Sequence, residues 1–364
     1  MVLAGGGHAH LAVLADWAAR PDPKIKRILV TPNLKAYYSG MLPGWMAGIY
    51  SRDALTIDLL PLLQAARADL LVLDVTALNA ARRHISLSTG NVLRFDLLSI
   101  ATGGVIDTAP FTALGSRLLP VRPVGRFVAQ WPDALARMAQ MTRPRLAVVG
   151  GGAAGVELAL AARATLVAQC ARFDVTLVFP PGGFLNGHSA KAQRLARAAL
   201  AEAGVSVAEQ ATAGCPDGLI LADGAVVPAD CVILATGSKP PPWLAHSGLA
   251  CSPEGFALTG ADLRSLSHDR IFAAGDIAAR ADRVLTRSGV HAVKAGPVLA
   301  HNLRAAATGA PMRHYQPGSN ALSLMATGDR HAILSWGDSA SAGRTEWRVK
   351  DWIDRRFIAR YKRP

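Results

Sequence analysis

The 364-residue chain predicts an α/β fold of two nested Rossmann-like dinucleotide-binding units followed by a small C-terminal region. A glycine-rich loop occurs twice, as Gly5-Gly6-Gly7-His8-Ala9-His10 and as Gly150-Gly151-Gly152-Ala153-Ala154-Gly155. Each follows a short apolar run and opens an Ala/Leu-rich helical stretch, the strand–turn–helix setting that gives such a pattern meaning. The glycines allow a tight turn and let backbone N–H groups approach a pyrophosphate, and the helix N-terminus adds partial positive charge. A second pair of motifs, Ala101-Thr102-Gly103 and Ala235-Thr236-Gly237, ends an apolar run downstream of each loop. Small residues there let a strand end pass close to a ligand. Two such loops imply two dinucleotides, and two dinucleotides imply electron transfer between them.

Strand-like runs alternate with helical patterns, as parallel sheets require. Residues 11–19 read as the first crossover helix and 27–31 as the next strand, closed by Pro32. Residues 70–75 read as a strand, and 85–87 with 92–95 as a hairpin turning at Gly90-Asn91. Residues 97–101 form an apolar strand, and 119–123 (Leu-Pro-Val-Arg-Pro) read as a linker. The second unit, 145–239, carries a helix to about 171, a strand at 175–179, a helix at 190–203 and a strand at 231–235. Pro240-Pro241-Pro242 marks its exit. A buried strand, 271–274, ends in Gly275-Asp276, whose carboxylate suits sugar-alcohol hydroxyls or, more blandly, a turn or helix cap. A helix at 290–307 follows.

Half of the residues are hydrophobic (51%), enough for large cores, yet no charge-free apolar run is long enough to span a bilayer. The first loop precedes the apolar stretch 11–19, which argues against reading that stretch as a signal-peptide core. Four cysteines, Cys170, Cys215, Cys231 and Cys251, make no C-x-x-C, so no metal or dithiol motif is visible. The expected setting is reducing and cytoplasmic. The net charge of +13 comes from 31 Arg and 8 Lys spread along an Ala-rich chain, a compositional pattern rather than a nucleic-acid patch.

Each loop departs from the ideal in a definite place. His10 stands where the third glycine of the first loop would allow close helix–strand packing. The sequence leaves open whether His8 and His10 pack near a pyrophosphate or cap the helix. Neither loop is followed by the acid that holds a ribose hydroxyl: the second strands end Val30-Thr31-Pro32 and Val178-Phe179-Pro180. No Arg adjoins Phe179 in sequence to favour a 2′-phosphate.

With these motifs in place, the chain resembles the pyridine nucleotide–disulfide oxidoreductases, flavoproteins of the glutathione-reductase-like fold. Within them it is similar to the branch of type II NADH dehydrogenases, sulfide:quinone oxidoreductases and apoptosis-inducing-factor-like proteins. It looks most like the flavoprotein module associated with selenophosphate synthase. The resemblance rests on GGGHAH at 5–10, YYSGMLPGWMAGIY at 37–50, LSLMATGDRHAILSWG at 322–337 and WRVKDWIDRRFI at 347–358.

It implies a discontinuous FAD domain (1–119 and 241–308), an NAD(P) domain (120–240) and a C-terminal region (309–364). FAD would meet Gly5, Gly7, His8, His10, Ala101, Thr102, Gly103, Gly275 and Asp276, with Val75 near the adenine. NAD(P)H would meet Gly150, Gly152, Gly155 and Gly237. Glu157 matches a position facing the nicotinamide side of the flavin, although Glu is an ordinary helix former. The helix at 291–297 would aim its N-terminus at the flavin pyrimidine, with Lys294 adding charge there or simply solvated. Ser39 to Pro43 stands where disulfide members carry their redox cysteines, so Pro43 joins Glu157 and Lys294 as a site residue and dithiol chemistry is not expected. The expected activity is FAD-dependent NAD(P)H oxidation with a quinone-like or small acceptor. The alternatives are a flavoprotein acting directly on a small sulfur, selenium or organic substrate, its Pro180-Pro181 and missing acids arguing against nicotinamide, or an FAD-stabilised interaction protein. The tail 344–364 holds eight basic and three acidic residues, with Val349, Trp352, Ile353, Phe357 and Tyr361 at helical spacing. That face suits the inner surface of a membrane, its own domain or a homodimer partner; no nucleic-acid partner and no metal are expected.

Overall fold

A computed structural model describes residues 1–180, 182–287, 289–318 and 321–362; Pro181 and the last two residues of the tail lie outside it. Two five-stranded parallel sheets organise the chain. The first runs Ile271–Ala273, Leu98–Ile100, Val2–Ala4, Ile28–Val30, Asp69–Leu71. The second runs Leu118–Pro120, Cys231–Leu234, Arg145–Val149, Asp174–Phe179, Ser206–Glu209. The strands VLA, LSI, CVIL and, at the edge of the first sheet, IFA are buried at every position. Such fully buried, mostly apolar strands are what a parallel sheet covered on both faces demands.

Both sheets place their parts alike. The central strand carries the glycine loop. One neighbour ends in Ala-Thr-Gly, and the other ends where a ribose acid would stand. The matched tripeptides therefore lie beside the loops because the strand order puts them there. Helix His8–Ala19 leaves the first loop and packs on helix Gly289–Thr308. The crossing is tight at Gly296, where a Cβ would come within 2.8 Å of the Ala12 methyl and 3.1 Å of the Ala9 carbonyl. That contact fixes the start of the second helix near the first loop.

The expected linker at 119–123 is in part structured. Leu118–Pro120 is an edge strand of the second sheet, pairing Leu119 with Ile233, so the crossover begins inside that sheet. The expected strand 70–75 divides: Asp69–Leu71 joins the first sheet, and Val75–Asn79 starts an antiparallel meander with His84–Leu87 and Val92–Arg94. A second meander, Ala211–Cys215, Gly218–Leu221 and Val226–Pro228, decorates the second sheet.

After residue 320 the chain forms an antiparallel sheet, Ser323–Ala326, Ala332–Trp336 and Ser339–Gly343, and then helix Arg344–Lys362. This helix buries Trp347, Lys350, Asp354, Phe357, Ile358 and Tyr361 against the body of the protein. Phe357 and Tyr361 thus leave the proposed membrane face, whereas Trp352 (60% exposed) and Val349 (39%) remain outside. The inward stripe turns on the ionic pair Lys350–Asp354, which a hydrophobic pattern does not register. Among the described residues no helix is long and apolar enough to cross a membrane.

Candidate cofactor site

The first loop is wedged against the strand end beside it. Gly5 has φ +95° and its N–H donates to the Val30 carbonyl at 2.7 Å. A Cβ there would lie 2.6 Å from Thr102 Cα, and one at Gly7 would overlap the Ala101 carbonyl oxygen. Only glycine fits at either place. A cavity of about 400 Å3 opens along this loop. It runs from Val75 past Gly5–His8 and Ala101–Gly103 to Gly275, Asp276 and Gly289. Seven predicted contacts, Gly5, Gly7, His8, Val75, Ala101, Thr102 and Gly103, therefore share one wall system with Gly275 and Asp276.

His10 explains its own departure from the glycine pattern. The ring is fully buried, with Nδ1 2.6 Å from the Gly5 carbonyl oxygen and Nε2 2.8 Å from Ser99 Oγ. It ties the loop to the neighbouring strand from beneath rather than lining the cavity. Burial pushes its pKa down to about 4, so the ring stays neutral. His8 lines the cavity, with Nε2 3.3 Å from the Tyr37 carbonyl oxygen. Its ring meets Tyr38 and Phe357 edge-on, and those two rings stack at 4.3 Å. Burial also takes its pKa down to about 4.

Asp276 is ion-paired with Arg122, which reaches across from the segment leaving the second sheet. Arg122 also lines the cavity, and burial lowers its pKa. The sequence reading passed over it as part of a linker; the flanking prolines gave no sign of a functional side chain.

Besides His10, three predicted site residues lie away from the cavity wall. Lys294 is exposed on the outer side of its helix. Pro43 is buried in the short helix Leu42–Met46. Glu157 belongs to a buried ionic cluster: its Oε1 accepts from the Ala326 N–H at 2.8 Å and lies 3.8 Å from Lys350 Nζ. Lys350 Nζ also donates to Asp354 (3.1 Å) and to the Gly40 carbonyl (2.8 Å), and the Tyr38 hydroxyl adjoins Asp354. Burial raises the pKa of both carboxyls. Burial would depress the Lys350 ammonium, but Glu157 and Asp354 outweigh it and raise its pKa. Two carboxylates around one ammonium leave a negative excess in a buried space, where a bound proton is favoured. Lys350, Asp354 and Tyr38 carry no signal in sequence because they meet Glu157 only through the fold, and the tail's pattern shows apolar spacing alone.

The second loop repeats the cradle. Gly150 faces the Ala235 carbonyl, and a Cβ at Gly155 would collide with the Gly150 carbonyl oxygen. Gly152 and Gly237 have open space around them. At the ribose position Phe179 is buried against Phe184. Arg197, from helix Ala190–Glu202, lies 5.9 Å from the Phe179 ring and 4.3 Å from that of Phe184. An Arg therefore does stand beside Phe179, brought from a helix rather than from the adjacent sequence.

The comparisons with known proteins agree with this architecture. The family model described as "Pyridine nucleotide-disulphide oxidoreductase" matches residues 2–306, so the chain belongs to that family. The family binds FAD and uses NAD(P)H. The ferredoxin–NAD(+) reductase component of the biphenyl dioxygenase system of Paraburkholderia xenovorans is 34% identical over 217 residues, 56% of this chain and 49% of that one. The chain thus spans about half the length of the curated relative it matches. Among solved structures, the sulfide:quinone oxidoreductase of Aquifex aeolicus superposes with a TM-score of 0.80 at 16% identity, over 99% of this chain and 91% of that one. Putidaredoxin reductase, in its covalent complex with putidaredoxin, gives 0.73 at 22% identity over 92% and 80%. These likenesses establish the fold.

The residues fit the family's cofactors. The first loop offers a side-chain-free cradle at a helix N-terminus, with Arg122 as a cation for a pyrophosphate and Asp276 as a hydroxyl acceptor. The second loop offers the same cradle with no acid at its ribose end.

Proposed function

We propose that the chain is an FAD-dependent NAD(P)H oxidoreductase of the type II NADH dehydrogenase and sulfide:quinone oxidoreductase branch, passing electrons to a quinone-like or other small acceptor. The observation that carries this reading is the duplicated cradle, one copy opening on a cavity that ends at Asp276 and the start of a helix. Bound FAD would supply hydride acceptance; the protein supplies position and charge. Gly5, Gly7 and Arg122 would hold the diphosphate, Asp276 the ribityl hydroxyls, and Val75 the adenine. Gly289 opens a helix whose N-terminal dipole favours an anionic reduced flavin. Gly150, Gly152 and Gly155 would hold the nicotinamide dinucleotide. Arg197 favours NADPH, since a cation replaces the ribose acid.

Glu157, Lys350, Asp354 and Tyr38 form a proton-holding cluster behind Ser39-Gly40, and would supply a proton to an acceptor bound there. None of the four cysteines lines the cavity, in keeping with an acceptor other than a disulfide. The curated relative acts with a ferredoxin, which makes a small iron–sulfur protein the second acceptor to test. Direct oxidation of a small substrate without nicotinamide is the second reading, favoured by the buried Phe179. The exposed Trp352 and Val349, among basic residues, keep a peripheral membrane contact in the proposal. The test is NADPH-driven reduction of a short-chain ubiquinone analogue, compared with ferredoxin and with a disulfide substrate. Quinone turnover supports the reading; turnover of the disulfide alone would overturn it.

A further inference from the structure

A second cavity of about 430 Å3 lies behind the Gly275-Asp276 turn, sharing Ala274, Gly275 and Asp276 with the cofactor cavity. It is comparable in size to the first, and the cofactor assignments above use none of its other walls. Its floor is apolar, from Leu258, Leu263 and Leu285. Its polar wall comes from one Arg-rich segment and the helix after it: Arg280, Arg283, Arg287 and His291.

The charges sort themselves by partner. Arg280 is nearly buried, with both ends engaged: its Nε and one terminal nitrogen donate to Asp282 at 3.0 and 2.9 Å, and the other donates to the Tyr315 carbonyl at 2.8 Å. Arg283 also leans on Asp282, at 3.2 Å. Asp276 is matched by Arg122 on the cofactor side. Glu254 accepts from Ser252 Oγ at 2.7 Å and is the remaining carboxylate of the wall, near enough to Arg287 for the two charges to stabilise each other. Four guanidiniums thus face three carboxylates, leaving one positive charge in excess.

The excess falls on Arg280 and Arg283, which share Asp282, while Arg287 offers the open donors. Its guanidinium carbon lies over the Phe256 ring, 3.4 Å from the centroid, and among the described residues it has no hydrogen bond or ion pair. A guanidinium stacked on an aromatic face keeps its in-plane N–H fork open for a carboxylate or phosphate. Beside it, His291 Nδ1 and the Tyr315 hydroxyl are bonded at 2.9 Å. Burial lowers the His291 pKa, so it stands as a neutral hydrogen-bonding group rather than a second charge.

We propose that this second cavity binds a small organic monoanion, its charged end forked by Arg287 and its apolar body on Leu258, Leu263 and Leu285. Because the wall includes Gly275 and Asp276, the bound molecule sits one backbone turn from the cofactor and alters the flavin's surroundings. The inference does not depend on which donor or acceptor the flavin uses.

The FAD-loaded protein is titrated with benzoate, followed by calorimetry and by the flavin visible spectrum, and separately with inorganic phosphate. The expected result is saturable binding of one benzoate per chain with a shift in the flavin bands, and markedly weaker binding of phosphate. Arg287→Ala weakens benzoate at least tenfold and Arg287→Glu abolishes it, both with unchanged FAD content. Absence of saturable benzoate binding, or benzoate affinity unchanged in both variants, overturns the proposal. Phosphate binding as tightly as benzoate overturns the organic, apolar part of it.

Discussion

Gly7 and Gly152 occupy the same place in the two loops, yet a methyl group meets opposite surroundings at the two positions. At Gly7 it would overlap the Ala101 carbonyl oxygen, and its next neighbour is the Ala101 methyl at 3.3 Å; at Gly152 nothing lies within 4 Å. The overlap at Gly7 falls roughly 1 Å short of an ordinary C···O approach of about 3.3 Å. The obstacle is backbone at the end of an inner strand, so it yields only if the loop moves away from Ala101. Overpacking of this kind costs about 1–3 kcal/mol. Displacing the loop also takes the cradle out of register with Asp276, so the loss should fall on FAD affinity. At about 1.4 kcal/mol per decade, 2 kcal/mol corresponds to roughly 30-fold. Gly7→Ala is therefore expected to raise the FAD dissociation constant by about ten- to a hundredfold, measured by flavin fluorescence on adding FAD to the apoprotein. Gly152→Ala should leave FAD affinity and the unfolding midpoint unchanged. Equal FAD affinity in the two variants would refute the assignment of FAD to the first loop, or the close approach of Ala101 on which it rests.

Three further outcomes follow from the same geometry. Lys350→Met leaves Glu157 and Asp354 buried without their cation and should cost about 3–5 kcal/mol by urea denaturation; Lys350→Met with Asp354→Leu should recover part of that. His10 has a folded pKa of about 4 against an ordinary value near 6.5, so the unfolded chain takes up its proton first as pH falls. Its contribution is complete above pH 6.5 and is lost on the order of 3 kcal/mol as pH falls from about 6.5 to 4; His10→Asn should flatten that limb, and an unchanged pH–stability curve would contradict the buried neutral ring. Arg197→Ala should raise KM for NADPH about tenfold and leave KM for NADH nearly unchanged, read from initial rates; equal effects on both would remove Arg197 from the 2′-phosphate end.

Much of the fold was legible because its signals are local. Val2–Ala4 and Cys231–Leu234 are unbroken apolar runs and Leu98–Ile100 is interrupted only by Ser99, and the glycine loops and Ala-Thr-Gly ends follow them directly. The antiparallel pair Lys35–Tyr37 with Thr56–Asp58 was not legible, being three residues a side and joined across residues 38–55 rather than by a hairpin turn. The meander at 211–228 was missed for a similar reason, its short half-exposed strands lacking sustained alternation. In the site, glycine reports steric need and could be read directly, whereas Arg122, Arg197 and Lys350 gain meaning only from partners far away in the chain. Arg122 and Asp276 are 154 positions apart, and Lys350 and Gly40 are 310 apart. His10 was seen as an exception to a pattern; its two hydrogen bonds show that the ring does the loop-fixing which close packing does at Gly155.

The account stands on a division of labour, with FAD on the first loop and the nicotinamide dinucleotide on the second. The measurement that tests it most directly is an anaerobic titration of the FAD-loaded protein with NADPH and NADH, following the flavin absorbance, in the native chain and in Gly155→Ala. The added methyl in that variant collides with the Gly150 carbonyl and leaves the first loop untouched. Rapid bleaching of the native flavin, with the variant holding its FAD and bleaching only with dithionite, is the predicted result. A native flavin that neither nucleotide reduces, or a variant reduced as fast as the native protein, would contradict the account.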